Sequence, residues 1–193
     1  MVQLKRSLLV FVWLSVLCGL VYPLAVTVIA QSLFPTLSNA GILKKGDTIV
    51  GSHLIGQSFT RADYFHGRPS AIDPPYDASN SGGSNLAPSS AKLIGQVQDR
   101  AAKVRRENGL DGNAPVPADL ILTSASGLDP HITPASALLQ ARRVADQRRI
   151  PEPDIEELIK RNTEQPLLKI WGKERVNVLR LNLALDMMKT GHQ

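Results

Sequence analysis

Cysteine and aromatic residues are scarce in this sequence of 193 residues. Cys18 is the only cysteine, and it lies inside a long apolar run. The rest of the chain therefore has no disulfide and cannot bind a metal through thiolates. Aromatic residues make up 5% of the chain, so a folded core must depend mainly on Leu, Ile, Val and Ala.

Concentrated positive charge is also lacking. Beyond Arg6, 20 basic residues are interspersed with 17 acidic ones. A nucleic-acid surface needs basic residues clustered on one face. We therefore expect no nucleic-acid partner.

Patterns for metal binding and nucleotide hydrolysis are missing as well. No paired spacing typical of metal ligands relates the four histidines, at positions 53, 66, 131 and 192. The sequence G-x-x-x-x-G-K-[ST] of a P-loop does not occur around Gly82 and Gly83. We predict no metal site and no independent hydrolysis of ATP.

One cluster of polar residues could suggest a hydrolase. Ser126, Asp129 and His131 lie close together in sequence, but no G-x-S-x-G nucleophile elbow accompanies them. The preferred interpretation is a rigid turn in which Asp129 and Thr133 cap the following helix. No catalytic residue is predicted.

The longest apolar run covers residues 8–30, which hold 23 residues without a charge. As a helix it would extend about 35 Å, enough to cross a hydrocarbon core of about 30 Å. Lys5 and Arg6 precede it, and the positive-inside rule then leaves residues 1–7 in the cytoplasm and residues 31–193 outside. The alternative is a cleaved signal peptide ending near Ala30, but the run is longer than a usual signal core.

The predicted membrane helix has a face of small residues. Ser15, Gly19 and Tyr22 share it, and the Ser15–Gly19 pair would allow another helix to approach closely. Pro23 should kink the helix because its ring presses on the carbonyl of Gly19. We predict a contact with partner helices here; a chance occurrence of small residues is the alternative.

The part after the membrane combines both kinds of secondary structure, so the predicted class is α+β, with one N-terminal transmembrane helix and a single mixed extracytoplasmic domain. Apolar runs predict strands at 52–59 and 119–124. Helical periodicity predicts helices at 88–108, 134–149 and 153–162, with Thr133 as an N-cap. Residues 176–188 fit a strand by alternation and a helix by length, and a helix is favoured.

Two turn-rich stretches are the candidate binding surfaces. Residues 66–90 contain too many Pro and Gly for regular structure, and a loop of this length is usually functional or disordered. An ordered binding loop is the favoured alternative. The predicted partner-interface residues in the two stretches are Ser81, Gly82, Gly83, Ser84, Asn85, Gly127, Leu128, Asp129, Pro130, His131 and Thr133. The alternative is that these turns only shape the domain.

Several stretches spread over the chain carry a family resemblance. They are the apolar run with Tyr22-Pro23, and the segments GSHLIGQSF at 51–59, YFHGRPSA at 64–71, SNSGGSNLAPSS at 79–90, SGLDPHITP at 126–134 and VNVLRLNLALD at 176–186. In these the sequence resembles the C subunit of the Kdp potassium-transporting ATPase of bacteria and archaea.

The resemblance implies an accessory subunit of a P-type pump in the bacterial inner membrane. Its expected partners are a channel-like A subunit that selects potassium, a B subunit that hydrolyses ATP, a small F subunit, and membrane lipid. It implies a role in assembly and as a catalytic chaperone that raises the affinity of the B subunit for ATP. ATP, Mg and potassium would then act through the complex, with no cofactor bound by this chain itself.

The predicted topology constrains that role. A domain outside the membrane cannot touch cytoplasmic ATP, so an effect on nucleotide must pass through the partners. We expect an extracytoplasmic cap on the channel subunit. A membrane-anchored binding module or hydrolase that works alone is the alternative.

Overall fold

The computed structural model describes residues 2–166 and 170–188 of the chain. It divides into two compact units, Met1–Ser52 and His53–Gln193. The first contains a long apolar helix, and the second contains helices with short strands. This confirms the predicted α+β class with one long N-terminal helix followed by a mixed domain.

Helix α1 of the first unit covers Val2–Leu33 and is long and apolar enough to cross a membrane. It extends beyond the predicted span at both ends. A π-helical turn at Leu17–Val21 interrupts it, and the amide of Tyr22 donates to the carbonyl of Leu17. Pro23 follows directly and has no amide hydrogen to donate. The backbone therefore widens by one residue at the place where the sequence predicts a kink.

The rest of this unit is a short helix α2 (Pro35–Ser38) and an antiparallel hairpin. Strand β1 (Ile42–Lys45) pairs with β2 (Thr48–Ser52). The strand predicted at 52–59 is wrong, because pairing ends at Ser52. Beyond that residue the amide of Gly56 donates to the carbonyl of Leu128, 2.8 Å away, and not to a neighbouring strand.

The helices of the second unit agree with the predicted ones, with small shifts at their ends. They are α3 (Ala91–Glu107), α4 (Pro134–Arg148), α5 (Glu152–Arg161) and α6 (Val178–Met188). Helix α3 begins after Ser90, so Pro88 precedes it and does not occupy its first turn.

The strands of this unit are shorter than predicted. Strand β5 (Arg175–Asn177) lies between β3 (His131–Ile132) and β4 (Thr163–Glu164), and both pairings are antiparallel. The ambiguous segment at 176–188 is thus a strand end followed by a helix. The predicted strand at 119–124 is wrong: a 3-10 turn covers Ala118–Leu120, and its amides bond to carbonyls three or four residues back.

The core lies between α4, α5, α6 and the three-stranded sheet. Its buried apolar side chains include Val144, Ile155, Ile159, Leu181 and Leu185. Phe65 is completely buried against this cluster. The core therefore depends on aliphatic residues with a single buried Phe among the described positions.

Buried polar side chains hold the irregular segment that contains Phe65. Asn182 accepts a hydrogen bond from the amide of Phe65 at 2.9 Å and donates to its carbonyl at 3.0 Å. Arg148, 3% exposed, pairs with Asp186 at 2.9 Å, and Arg143 donates to the carbonyl of Tyr64 at 3.0 Å. Because this segment forms no ladder, side chains must satisfy its backbone groups.

Candidate partner interface

The two predicted binding loops lie against each other. The amide of Gly82 donates to the carbonyl of Ser126 at 2.9 Å, and the hydroxyl of Ser81 donates to the same carbonyl at 3.2 Å. We call residues 81–85 and 126–131 the loop pair. The structure thus brings together two candidate stretches that are about forty residues apart in sequence.

Glycines allow this close approach. Gly127 has φ +69°, and a Cβ there would lie 2.8 Å from the carbonyl oxygen of Gly82 and 2.6 Å from a side-chain carbon of Ile72. A Cβ on Gly83 would lie 3.1 Å from the carbonyl oxygen of Ala125. Side chains at these two positions would push the loops apart, which explains on steric grounds why both positions are glycine.

Hydroxyl groups fix the backbone of the second loop. Ser124 accepts a hydrogen bond from the amide of Gly127 at 2.8 Å, and Ser70 donates to the carbonyl of Gly127 at 2.9 Å. The hydroxyl of Ser126 accepts from the amide of Leu128 at 3.2 Å. With its main chain bonded on both sides, the loop is preorganised, which reduces the entropy lost when a partner binds.

Asp129 connects the loop pair to the segment around Arg68. Its carboxylate accepts from Arg68 at 3.0 Å and from the amide of His131 at 3.0 Å. Burial raises the pKa of Asp129, but hydrogen bonds from His131 and the positive charge of Arg68 outweigh it and leave the pKa below its usual value. Asp129 is therefore a charged anchor of the turn.

The predicted capping of α4 is half right. The hydroxyl of Thr133 accepts from the amide of Ser136 at 3.2 Å, so Thr133 is the N-cap. Asp129 does not cap this helix, because its oxygens accept from Arg68 and from the amide of His131. Asp119 does so instead, accepting from the amide of Thr133 at 2.6 Å and from the hydroxyl of Ser136. Sequence analysis missed Asp119 because it placed that residue in a strand.

Tyr76 is linked to the loop pair through Gly56, whose amide donates to the carbonyl of Leu128. Its hydroxyl donates to the carbonyl of Arg68, and its ring lies where a Cβ on Gly56 would be placed. Burial raises the pKa of Tyr76 to about 12. The phenol therefore stays a neutral donor at physiological pH. Its position with φ +63° is unusual for an aromatic residue and is another feature that sequence analysis missed.

The predicted interface residues differ in what they can offer a partner. Gly127 and Pro130 are buried, and the carbonyl of Pro130 accepts from the amide of Val178. Ser81 and Asn85 are exposed. Those that reach the surface partially are Gly82, Gly83, Ser84, Leu128, Asp129, His131 and Thr133. A partner would thus contact mainly the first loop, while the second supports it.

The hydrolase alternative lacks the contact it needs. The hydroxyl of Ser126 lies near that of Ser124, and the ring of His131 faces Asp129 and Glu164. Within residues 2–166 and 170–188, the hydroxyl of Ser126 and the ring of His131 form no hydrogen bond with each other, so they do not make a nucleophile–base pair. The same residues contain no group of three or more His, Cys, Asp or Glu placed to hold a metal ion.

The small-residue face of α1 is exposed along its length. Gly19 lies inside the π turn, and among the described residues nothing beyond the nearby backbone of its own helix lies within 4 Å of the Cβ position there. Ser15 precedes the turn and Tyr22 follows it. Because a π turn adds a residue, Tyr22 is rotated relative to the face that a regular helix would give.

Comparison with known proteins identifies the family. A family model described as KdpC, the c chain of K+-transporting ATPase, matches residues 4–187. The match includes all of helix α1 except its first two residues, and both members of the loop pair. The chain belongs to the KdpC family. The family predicted from the quoted sequence stretches is thereby confirmed.

Individual relatives agree over nearly their full lengths. The potassium-transporting ATPase KdpC subunit of Caulobacter vibrioides is 49% identical over 185 residues, covering 95% of this chain and 92% of the relative. That of Beijerinckia indica is 47% identical over 184 residues, covering 95% and 93%. That of Photorhabdus laumondii is 45% identical over 187 residues, covering 96% of each.

Proposed function

We propose that this chain is the accessory subunit of an ATP-driven potassium uptake pump, anchored by α1 and capping the channel-like subunit from outside. The observation that carries the proposal is the loop pair, in a chain of the KdpC family. Two loops far apart in sequence are joined by a main-chain hydrogen bond from Gly82 and a side-chain one from Ser81, and they expose Ser81 and Asn85 on a preorganised surface. Such a surface suits docking to a protein.

The proposed topology follows from charge. Lys5 and Arg6 are the only charged residues before Lys44, so α1 should be inserted with its N-terminus in the cytoplasm. The second unit would then lie on the outer side of the inner membrane, where a channel mouth is accessible. Cysteine scanning tests this in a Cys18→Ser background: an impermeant maleimide applied to spheroplasts should label Ser89→Cys and spare Gln3→Cys. The reverse pattern would contradict the topology.

The proposed effect on ATP use is indirect. A domain outside the membrane cannot reach a cytoplasmic nucleotide site, so it can favour ATP binding only by stabilising a pump conformation that binds ATP better. In this role the chain acts as a catalytic chaperone without a catalytic site or cofactor of its own. ATP, Mg and potassium would be bound by the partners, which we expect to be the A, B and F subunits.

Purification from membranes tests the assembly role. A tagged chain, extracted in mild detergent from cells that express the pump, should retain large membrane partners and a potassium-stimulated ATPase activity. A chain that purifies alone from such cells would support the solitary anchored module and contradict the proposal.

A loop variant then tests the surface. Asn85 has φ +51°, a conformation that glycine adopts without strain. Asn85→Gly therefore removes the exposed side chain while keeping the loop shape. We expect it to fold normally and to retain less partner, whereas Asn113→Gly, in another exposed loop, should retain the wild-type amount. Equal retention by both variants would remove Asn85 from the interface.

A further inference from the structure

Beside the first loop of the pair lies a cleft of about 240 Å³ against helix α3. We call it the α3 cleft. It is lined by hydroxyl, amide and cationic groups, among them Ser70, Ser84, Lys92, Gln96, Arg100 and Thr123. Lys92, Gln96 and Arg100 are spaced four residues apart, so they form one row along the helix.

The cleft contains positive charge that the chain does not neutralise. No Asp or Glu belongs to the described residues that line it. Neither Lys92 nor Arg100 forms an ion pair with any described residue, although Arg100 donates one hydrogen bond to the carbonyl of Ile121 at 3.0 Å. By contrast, Lys103 on the same helix lies 3.7 Å from Glu107. Lys92 and Arg100 are thus two cations of the cleft that have no carboxylate partner among the described residues.

Neutral donors in the cleft are also free. The hydroxyls of Ser84 and Thr123 and the side-chain amide of Gln96 make no hydrogen bond to the part of the chain that the structure describes. The hydroxyl of Ser70 is already used by the backbone of residues 70–76 and by Gly127. The remaining free groups are mostly hydrogen-bond donors beside two positive charges, which is the chemistry that recognises an anion.

We infer that the α3 cleft binds carboxylate side chains of an acidic segment in a partner subunit. The inference rests on the proposed function, which it deepens by naming what the partner presents. Gly83 and Ser84 belong both to the cleft and to the loop pair, so the cleft is continuous with the proposed interface. This continuity favours a protein segment over a free anion.

The geometry of α3 limits the shape of that segment. Lys92 and Arg100 are eight residues apart, which corresponds to about 12 Å along a helix. In an extended chain this matches carboxylates about four residues apart. The segment would therefore run along α3 with one carboxylate near each cation, and Ser84 and Thr123 would donate between them.

A zero-length cross-link tests the contact in the intact complex. Carbodiimide activates a carboxylate, and the amine of a lysine in contact with it then displaces the urea and forms an amide, so treatment of the purified pump should link Lys92 to an Asp or Glu of a partner subunit. In the Lys92→Arg variant the charge is kept but this link cannot form, so complex yield should stay normal while the cross-linked peptide disappears. A complex that assembles without a link from Lys92 to any partner would overturn the inference.

Charge variants give an independent measure. We expect Lys92→Glu and Arg100→Gln each to lower retention of the partner about tenfold at low salt, with a smaller difference in high salt because ions screen the charges. Lys92 lies in the first turn of α3, where an acid suits the helix dipole, so Lys92→Glu should not unfold the helix. The control is Arg106→Glu, exposed on the same helix and outside the cleft.

The outcomes separate this inference from the proposed function. If the wild-type chain retains no partner at all, the pump-subunit proposal fails and the inference fails with it. If the wild-type complex forms and Lys92→Glu behaves like Arg106→Glu, the proposed function stands and the cleft inference is wrong. Binding of free phosphate or sulfate is compared between the wild type and Lys92→Glu. If the variant loses only this binding and its complex yield is normal, the cleft binds a free anion and the proposed protein carboxylate is wrong.

Discussion

Replacing Gly127 with alanine should break the contact that joins the loop pair. The residue has φ +69°, and its new Cβ would lie 2.8 Å from the carbonyl oxygen of Gly82. The left-handed conformation costs a residue with a Cβ about 1–2 kcal/mol. Forcing a methyl group against a fixed backbone adds about 1–3 kcal/mol. We therefore expect Gly127→Ala to lower the free energy of unfolding by about 2–5 kcal/mol.

Gly109 provides a matched control for the conformational part. Its φ is +63°, close to that of Gly127, but nothing lies within 4 Å of the Cβ position. Gly109→Ala should therefore cost only about 1–2 kcal/mol. The difference between the two variants isolates the steric contacts of a Cβ at position 127 with Gly82 and Ile72, because the backbone strain is nearly the same in both.

The assay is chemical denaturation of the full chain in mild detergent, in which a signal from the second unit reports unfolding. Retention of pump partners by folded Gly127→Ala protein gives a second measure. The reasoning is refuted if Gly127→Ala and Gly109→Ala have equal unfolding free energies, since the loops would then not be in the close contact described. If Gly127→Ala and Gly109→Ala are equally stable but only Gly127→Ala loses the partner, the loop surface would contact the partner directly, and the packing between the loops would not explain the loss.

Three further predictions concern other parts of the chain. Gly19→Leu should reduce retention of partner helices roughly threefold, because the larger side chain prevents close approach. Ala25→Leu is the control for side-chain size elsewhere on α1. Equal retention by the two variants would argue against a contact at Gly19. Asp119→Ala should lower the unfolding free energy by about 1–3 kcal/mol, because the start of α4 loses its acceptor, whereas Asp111→Ala, on an exposed turn, should change it little in urea titrations. Burial holds the pKa of His66 in the folded chain below its usual value. As the pH falls below about 6.5, the unfolded chain therefore takes up a proton before the folded chain does. The free energy of unfolding then decreases until the pH reaches the lower pKa of the folded chain. Urea midpoints between pH 8 and 5 should fall more steeply for the wild type than for His66→Gln, and parallel curves would contradict this assignment.

Helices were predictable because their signals are local. The signals for α4 are its apolar face and its start at Thr133 and Pro134, and all of them lie within the segment. The observed bounds of α4 agree closely with the predicted ones, which end at Arg149. The same holds for α1, whose composition leaves no alternative to a helix in lipid. In both cases the information needed to form the element lies within it.

The strands were not predictable in this way, because pairing depends on distant residues. Residues 119–124 are as apolar as a buried strand, but they pair with no strand among the described residues, and the segment turns after Pro117. The 3-10 turn places the carboxylate of Asp119 at the start of α4. An apolar run specifies burial, and the rest of the chain decides which hydrogen bonds satisfy its backbone.

The candidate site was predicted in its position but not in its construction. Glycine-rich turns indicated the two loops, and the structure brings them together. The residues that hold them, such as Ser70 and Tyr76, gave no separate signal, because a serine or tyrosine in a loop is common and its partner is known only from the fold. The hydrogen bond from Ser70 to Gly127 joins positions 57 residues apart. Sequence spacing cannot indicate such a contact.

Helix α3 gives the last argument for a protein partner. Its apolar residues recur at helical spacing, yet Ala101 is the only buried residue that the structure assigns to it, and Ile94 is 48% exposed. A helix with such a face normally gains its stability by burying it. The cleft adds Lys92 and Arg100, two cations without a carboxylate in the described chain. Ile94 is two residues from Lys92 and therefore lies on another side of the helix, outside the cleft. An acidic segment in the cleft would neutralise Lys92 and Arg100, and a separate contact with the same partner would be needed to bury Ile94.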